Sequence, residues 1–231
     1  MWKYLVRDWV KEKIGEEYLI PLLGVYDSFD EIDFDKLPAQ FVIKCTHDSG
    51  GLVICKDKSK LDINKARKKI NNCLKRNYFY SGREWPYKFV KPRIIIEKYM
   101  DSRKKQDLED YKVRNFNGDP KFILVCKDRY EKTGLTEDFF DIDWSHLDIK
   151  RPNHSNSMTK IPQPSQLSEI IRLSKKLSND IPFIRTDFYI IDKHIYFGEL
   201  TLYPASGFVG FCPDDWDEKI GQWLDISNVK K

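Results

Sequence analysis

The chain has 231 residues, 41% hydrophobic and 33% charged, which excludes a disordered polypeptide and suits a soluble globular protein of one large or two small domains. Its 40 basic and 36 acidic residues leave a net charge of +4, spread through the chain and too small to argue for a nucleic-acid partner. No run of about 18 apolar residues occurs, so no membrane-embedded segment is expected.

In chain order, residues 2–14 place Trp2, Leu5, Val6, Trp9, Val10 and Ile14 at helical spacing, with Gly15 as a stop. The same stretch lacks the apolar core of a signal peptide. "YLIPLLGVY" reads as an extended or looping segment broken by Pro21 and Gly24. "FVIKC" (41–45) is a short buried strand, "THDSGG" (46–51) a loop and "LVICK" (52–56) a second strand. Asp62 caps a basic helix running to about Asn77. "RIIIEKYM" (93–100) is a strand ending on a charged pair. "DYKVRNFNG" and "PKFILVCKDR" pair through a turn at Asn117-Gly118-Asp119. Residues 131–163 read as a long loop; Phe139, Phe140 and Trp144 favour a substrate lid over a plain surface loop, and core packing explains them as well. A helix follows from Pro164 and Ser165 to Asn179, then the hairpin "IRTDFYIIDKHIYFGELT", a glycine-containing loop and a last helix around 214–225.

Strands that come as antiparallel pairs between helices predict an α+β fold of two packed layers rather than a parallel Rossmann sheet. The five cysteines are odd in number and contain no CxxC pair, so reduced thiols in the cytosol are expected rather than disulfides or a zinc knuckle. The four histidines are equally scattered.

The hairpin turns at Asp192-Lys193 and sets Asp187 opposite Glu199. Arg185, Asp187, Glu199 and Thr201 then share a face with Phe183, Ile195 and Phe197, while Ile184, Phe188, Ile190, Tyr196, Leu200 and Leu202 face a core. Opposed carboxylates repel, so something positive must hold them. Arg185 alone can do so as a surface ion pair; a magnesium ion bridging phosphates is the other solution. Lys44, at the end of a buried strand before Ser49-Gly50-Gly51, suits a phosphate or an ordinary edge lysine before a turn. Glu97 to Met100 suit the wall of a flat nucleotide pocket or a strand ending in solvent. Asp110, Lys112 and Arg114 alternate along one strand and fit a solvated face or a nucleotide site.

Taken in order, these pieces resemble the ATP-grasp ligases, and more finely the TupA-like branch associated with teichuronopeptide and bacterial surface-polysaccharide synthesis. The stretches "YLIPLLGVYDSFDEIDFDKLPAQFVIKCTHDSGG", "DYKVRNFNG" and "RTDFYIIDKHIYFGELTLYPASG" carry the resemblance, which covers nearly the whole chain. It implies two layers, each with an antiparallel sheet, gripping ATP. It divides the chain into a lead-in at 1–40, a small subdomain at 41–100 and a large subdomain at 101–231. Lys3, Lys44 and the Ser49-Gly50-Gly51 loop would contact phosphates. Glu97, Lys98, Tyr99 and Met100 would form the adenine hinge, with Asp110 and Lys112 beside the nucleotide. Asp187, Glu199 and Thr201 would hold Mg²⁺, and Arg185 would steady an acyl phosphate. Many ATP-grasp ligases carry Asn where Thr201 stands and Asp where Trp2 stands. Relatives also carry an additional N-terminal segment, so a shortened version is implied.

The implied activity is a cytoplasmic, bacterial carboxylate–amine ligase acting on an amino acid or a uronic-acid sugar. Three other activities fit parts of the pattern: a glycosyltransferase of polysaccharide assembly, a small-molecule kinase of the same fold, and an ATP-binding module without catalysis.

Overall fold

The computed structural model describes residues 3–48, 50–100, 109–127 and 134–227. The fold is α+β with two antiparallel sheets, as the strand pairs predict. The chain forms two compact units, one of residues 1–9 and 19–100, the other of residues 10–18 and 101–231. Helix α1 (Val6–Ile14) contributes its first turn to the first unit and the remainder to the second. Its start at Val6 leaves the expected Leu5 outside the helix, and Trp2 lies outside the described residues.

The first unit holds strands β1 (Leu22–Tyr26), β2 (Phe41–Cys45) and β3 (Leu52–Cys55), helix α2 (Ile63–Leu74), the single turn α3 (Phe79–Gly82) and strand β4 (Ile94–Lys98). The sheet order is β1-β4-β2-β3, all antiparallel. Of the two readings of "YLIPLLGVY", the extended one holds for its second half, an edge strand with an irregularity at Leu22–Gly24. On β2, Phe41, Ile43 and Cys45 are buried and Val42 and Lys44 are less so. The buried set and Ile94 and Ile96 of β4 pack against Ala66, Ile70 and Cys73 of α2. That spacing puts the three on one helical face. The Asp62 carboxylate accepts from the Lys65 N–H at 2.9 Å, so the helix starts where the sequence places its cap. It stops at Leu74 rather than Asn77, because the Asn77 side chain bonds the Phe79 N–H and the Lys88 carbonyl instead.

The second unit holds β5 (Asp110–Phe116), β6 (Asp119–Lys127), β7 (Thr136–Asp141), α4 (Leu167–Ser178), β8 (Phe183–Ile191), β9 (His194–Thr201) and α5 (Asp215–Gln222). The sheet order is β7-β6-β5-β8-β9. Both tight turns have left-handed backbone at both central residues, Asn117-Gly118 (φ 51°, 83°) and Asp192-Lys193 (φ 49°, 67°), the conformation that matches strand twist. Helix α4 covers one sheet face with Leu167, Ile170, Leu173 and Leu177. A buried polar knot fixes its position: the Ser174 hydroxyl donates to Asn115 Oδ1 at 2.7 Å and lies 2.6 Å from the Thr186 hydroxyl.

The 131–163 segment departs from its reading as a loop. Residues 136–141 form the edge strand β7, buried at every position but the last. Phe139 joins an aromatic core with Phe116, Phe122 and Phe211, and Phe140 stacks on Trp144 at 4.4 Å. Phe139 and Phe140 are thus sheet core, and Trp144, half-buried, packs against Phe140 just past the strand. Glu137 and Asp138 hide the strand in the sequence, because two adjacent acids break an apolar run. Arg151 neutralises Glu137 through two bonds of 2.7 Å. Asp138 accepts from Asn156 Nδ2 and the Ser157 N–H and contacts His146.

The hairpin also departs from strict alternation. Near the turn, Ile191 pairs with His194 and Phe188 with Phe197; beyond it, Asp187 pairs with Glu199. One extra residue, Gly198, is inserted as a bulge between these pairs. Phe197 and Ile195 therefore share the face of Phe188 and Ile190, and Tyr196 faces the other way. This reverses the faces expected for Ile195, Phe197 and Tyr196.

Candidate functional site

In the first unit, Lys44 and Glu97 lie on the sheet face turned away from α2. The Lys44 ammonium contacts Glu97 Oε2 at 2.6 Å, and Arg7 Nη1 donates to Glu97 Oε1 at 2.9 Å. Arg7 also donates to the Ile20 carbonyl at 2.7 Å, which ties α1 to the strand lead-in. One buried carboxylate thus sits between two cations, leaving local positive charge. Arg7 escaped the sequence reading, because a lone arginine ninety residues from its partner gives no local signal.

Several hydrogen bonds converge on Asp48 in the loop after β2. Buried Asp48 accepts from the Gly50 N–H (2.9 Å), the Cys73 thiol (2.6 Å) and Arg76 Nη2 (2.5 Å). Burial pushes the Asp48 carboxyl up, but these donors and the Arg76 charge outweigh it and hold it below the usual range. Lys3 donates to the Asp48 carbonyl at 2.7 Å, so this expected phosphate contact lies against the loop's own backbone. Gly51 is buried, and a Cβ there would run into the sulfurs of Cys45 and Cys73. Ser49 lies outside the described residues. Of the expected hinge, Glu97 and Lys98 are paired in the ladder, Glu97 on both sides. Tyr99 and Met100 lie past the last pair and are half-buried. Glu97 therefore turns its carboxylate toward Lys44 and Arg7, and the ladder ends at Lys98.

In the second unit, the strand registry sets Lys112 opposite Asp187, Arg114 opposite Arg185, Asp187 opposite Glu199 and Arg185 opposite Thr201. All share the sheet face opposite α4. Lys112 bridges two carboxylates, Asp187 at 2.7 Å and Asp110. Arg185 grips Asp187 with Nε and Nη2, both at 2.7 Å, and its Nη2 lies 3.6 Å from Glu199. This face is not solvated: the Asp187 side chain is 2% exposed and that of Lys112 11%, whereas that of Glu199 is 33% exposed.

Burial pushes the Asp110 carboxyl up. It pushes Asp187 the same way, but the charges of Lys112 and Arg185 prevail and hold that carboxyl below its usual range. Burial opposes the Lys112 charge too, yet the two carboxylates raise its pKa. Arg114 completes the row. Its guanidinium lies over Phe211 and Phe122 at 5.0 and 5.3 Å from the ring centres, and its Nε has no hydrogen-bond partner.

Among the described residues no group of three or more His, Cys, Asp or Glu is gathered for a metal ion; the hard oxygens of Glu199 and Thr201 suit magnesium in their chemistry. Thr201 Oγ1 is buried without a hydrogen-bond partner, beside the partly open Glu199. Asp187 Oδ2 accepts from both Arg185 and Lys112, whereas Oδ1 accepts from Arg185 Nε and keeps a second lone pair. The chain then turns through Ala205 (φ 50°), Ser206 (φ 58°) and Gly207 (φ 78°), three consecutive left-handed residues. Such backbone concentrates at functional sites. The sequence offers only Pro204 and Gly207 as signals for it.

A family model described as TupA-like ATPgrasp matches residues 1–225. No curated protein matches the chain. Among solved structures, D-alanine–D-alanine ligase from Helicobacter pylori aligns with TM-score 0.44 and 19% identity over 88% of this chain and 54% of that one. The Bacillus anthracis D-alanine–D-alanine ligase complexed with ATP gives 0.47 and 17% over 86% and 55%. The biotin carboxylase domain of Hydrogenobacter thermophilus 2-oxoglutarate carboxylase, with MgADP and bicarbonate, gives 0.43 and 13% over 84% and 38%. The chain spans about half the length of the two ligases.

Proposed function

The chain belongs to the TupA-like ATP-grasp family, and from that premise we propose that it is an ATP-dependent carboxylate–amine ligase. The observation that carries this proposal is the row Asp110, Lys112, Arg185, Asp187 and Glu199 on one sheet face, three carboxylates threaded by two cations. A purely structural sheet has no need to bury so much charge, and burying it is unfavourable unless every member is paired. Phosphoryl transfer needs this kind of preorganised charge.

In the proposed reaction a substrate carboxylate oxygen attacks the γ-phosphoryl group of ATP. ADP leaves and an acyl phosphate forms. An amine nitrogen then attacks the acyl carbon, inorganic phosphate leaves, the nitrogen gives up a proton and an amide results. Lys44 supplies positive charge to phosphate oxygens, with Glu97 and Arg7 fixing its position. Gly50 and Gly51 let the backbone of their loop approach those oxygens. Tyr99 and Met100 present backbone to the adenine. Glu199 and the Thr201 hydroxyl would hold magnesium, which draws charge off the phosphates when bound. Arg185, oriented by Asp187, steadies the acyl phosphate, and Lys112 holds Asp187 and Asp110 in place. By resemblance to this branch, the substrates are an amino acid and a uronic-acid precursor of a bacterial surface polysaccharide, joined in the cytoplasm.

The test is incubation with Mg-ATP and a panel of amino acids and uronic-acid sugars, following ADP and phosphate. Release of both that depends on an amino acid–sugar pair is expected. Release of AMP, or failure to bind ATP, overturns the proposal.

A further inference from the structure

Residues 75–93 carry six basic residues against the single acid Glu84, a net +5, whereas the whole chain carries +4. Arg76 pairs with Asp48, and Lys91 and Arg93 pair with Asp27, so Lys75, Arg83 and Lys88 are the segment's cations outside those three ion pairs. The same segment holds the protein's densest exposed aromatic cluster among the described residues. Tyr80 is 67% exposed, Trp85 57% and Phe89 78%. They form one surface rather than scattered side chains. Phe79 lies 5.4 Å from Tyr80 and 5.9 Å from Trp85, ring centre to ring centre, and Trp85 lies 5.9 Å from Phe89. The Lys88 ammonium sits among them, 4.3 Å from the Trp85 ring centre and 5.3 Å from those of Phe79 and Phe89. Arg83 lies over Tyr80 at 5.7 Å.

We propose that this segment is a docking surface for an anionic lipid bilayer, with Trp85, Phe89 and Tyr80 entering the headgroup layer and Lys88 and Arg83 meeting lipid phosphates. Exposed aromatics of this size are unfavourable in water when contiguous and mark interaction sites. Trp and Tyr rings sit at the level of lipid headgroups, and basic residues beside them are attracted by anionic leaflets. The attachment would be peripheral: among the described residues no helix is long and apolar enough to cross a membrane. It does not depend on the ligase assignment.

The test is co-flotation of the full chain with vesicles of phosphatidylcholine alone and of equimolar phosphatidylcholine and phosphatidylglycerol. Binding to the anionic vesicles only is expected, weakening as salt is raised. Lys88→Gln should weaken it about fivefold, and Trp85→Ala with Phe89→Ala should abolish it while leaving the thermal midpoint within a few degrees. No binding to anionic vesicles overturns the proposal. So does binding that survives the double aromatic substitution, or binding to a soluble uronic-acid polysaccharide in place of vesicles.

Discussion

Asp187 accepts hydrogen bonds from two cations while almost fully buried, which separates it from its strand partner Glu199. Lys112→Met leaves Asp110 and Asp187 facing each other with half their counter-charge gone. A stability loss of about 3–5 kcal/mol is expected by urea denaturation. A loss below ~1 kcal/mol would mean that the pair behaves as solvent-exposed. Asp187→Asn should likewise destabilise the fold, so lost turnover in that variant says little about metal. Glu199→Gln is the cleaner test: turnover should fall by at least ~100-fold with the melting temperature unchanged, since its side chain is partly open. His47 gives a pH handle. Its Nε2 faces the Cys73 carbonyl at 3.1 Å, so Nε2 carries the proton and Nδ1, which has no partner, carries the lone pair. Burial lowers its pKa. A depressed folded-state pKa means that this contribution is complete above the unfolded value of about 6.5 and fades as pH falls through the folded value. Urea midpoints should therefore drop on acidification from pH ~6.5, and His47→Gln should flatten that decline.

At the scale of elements, the β8–β9 hairpin is where the site is made. The two-residue turn alone would set Glu199 opposite Thr186, on the core face. The Gly198 bulge moves it into register with Asp187. A Cβ at Gly198 would lie 2.8 Å from the Tyr189 ring and 3.2 Å from the Asp187 carbonyl. Gly198→Ala should lower stability by about 1–3 kcal/mol and impair turnover together, because it strains the device that sets the register. Lys193→Gly should act oppositely. A lysine at φ 67° carries left-handed strain, and glycine there should raise the unfolding free energy by about 1 kcal/mol, read by urea denaturation, without altering the site. The strand pairs, the Asp62 cap and both tight turns were legible because each depends on neighbouring residues. The edge strand β7 was not. Its acids are tolerated only because Arg151, Asn156 and Ser157 reach back from later in the chain.

Across the whole molecule, two units each carry part of the proposed machinery. Mg-ATP at ~100-fold excess over its Kd should stabilise the folded protein by about 2.7 kcal/mol, read as a rise in thermal midpoint. Lys44→Ala should remove most of that rise at the same nucleotide concentration without lowering the midpoint of the free protein by more than a few degrees.

The sequence by itself determined the α+β class, the antiparallel pairs, the family resemblance and the short list of charged residues, since alternation, turn chemistry and motif order are local properties. Only the tertiary structure decided what those residues face. It placed Lys44 with Glu97 and Arg7, locked Asp187 between Lys112 and Arg185, left Glu199 partly open, and turned Phe139 and Phe140 into core. Each of these depends on groups distant in sequence, brought together by strand order and by one inserted glycine, and neither carries a local signature.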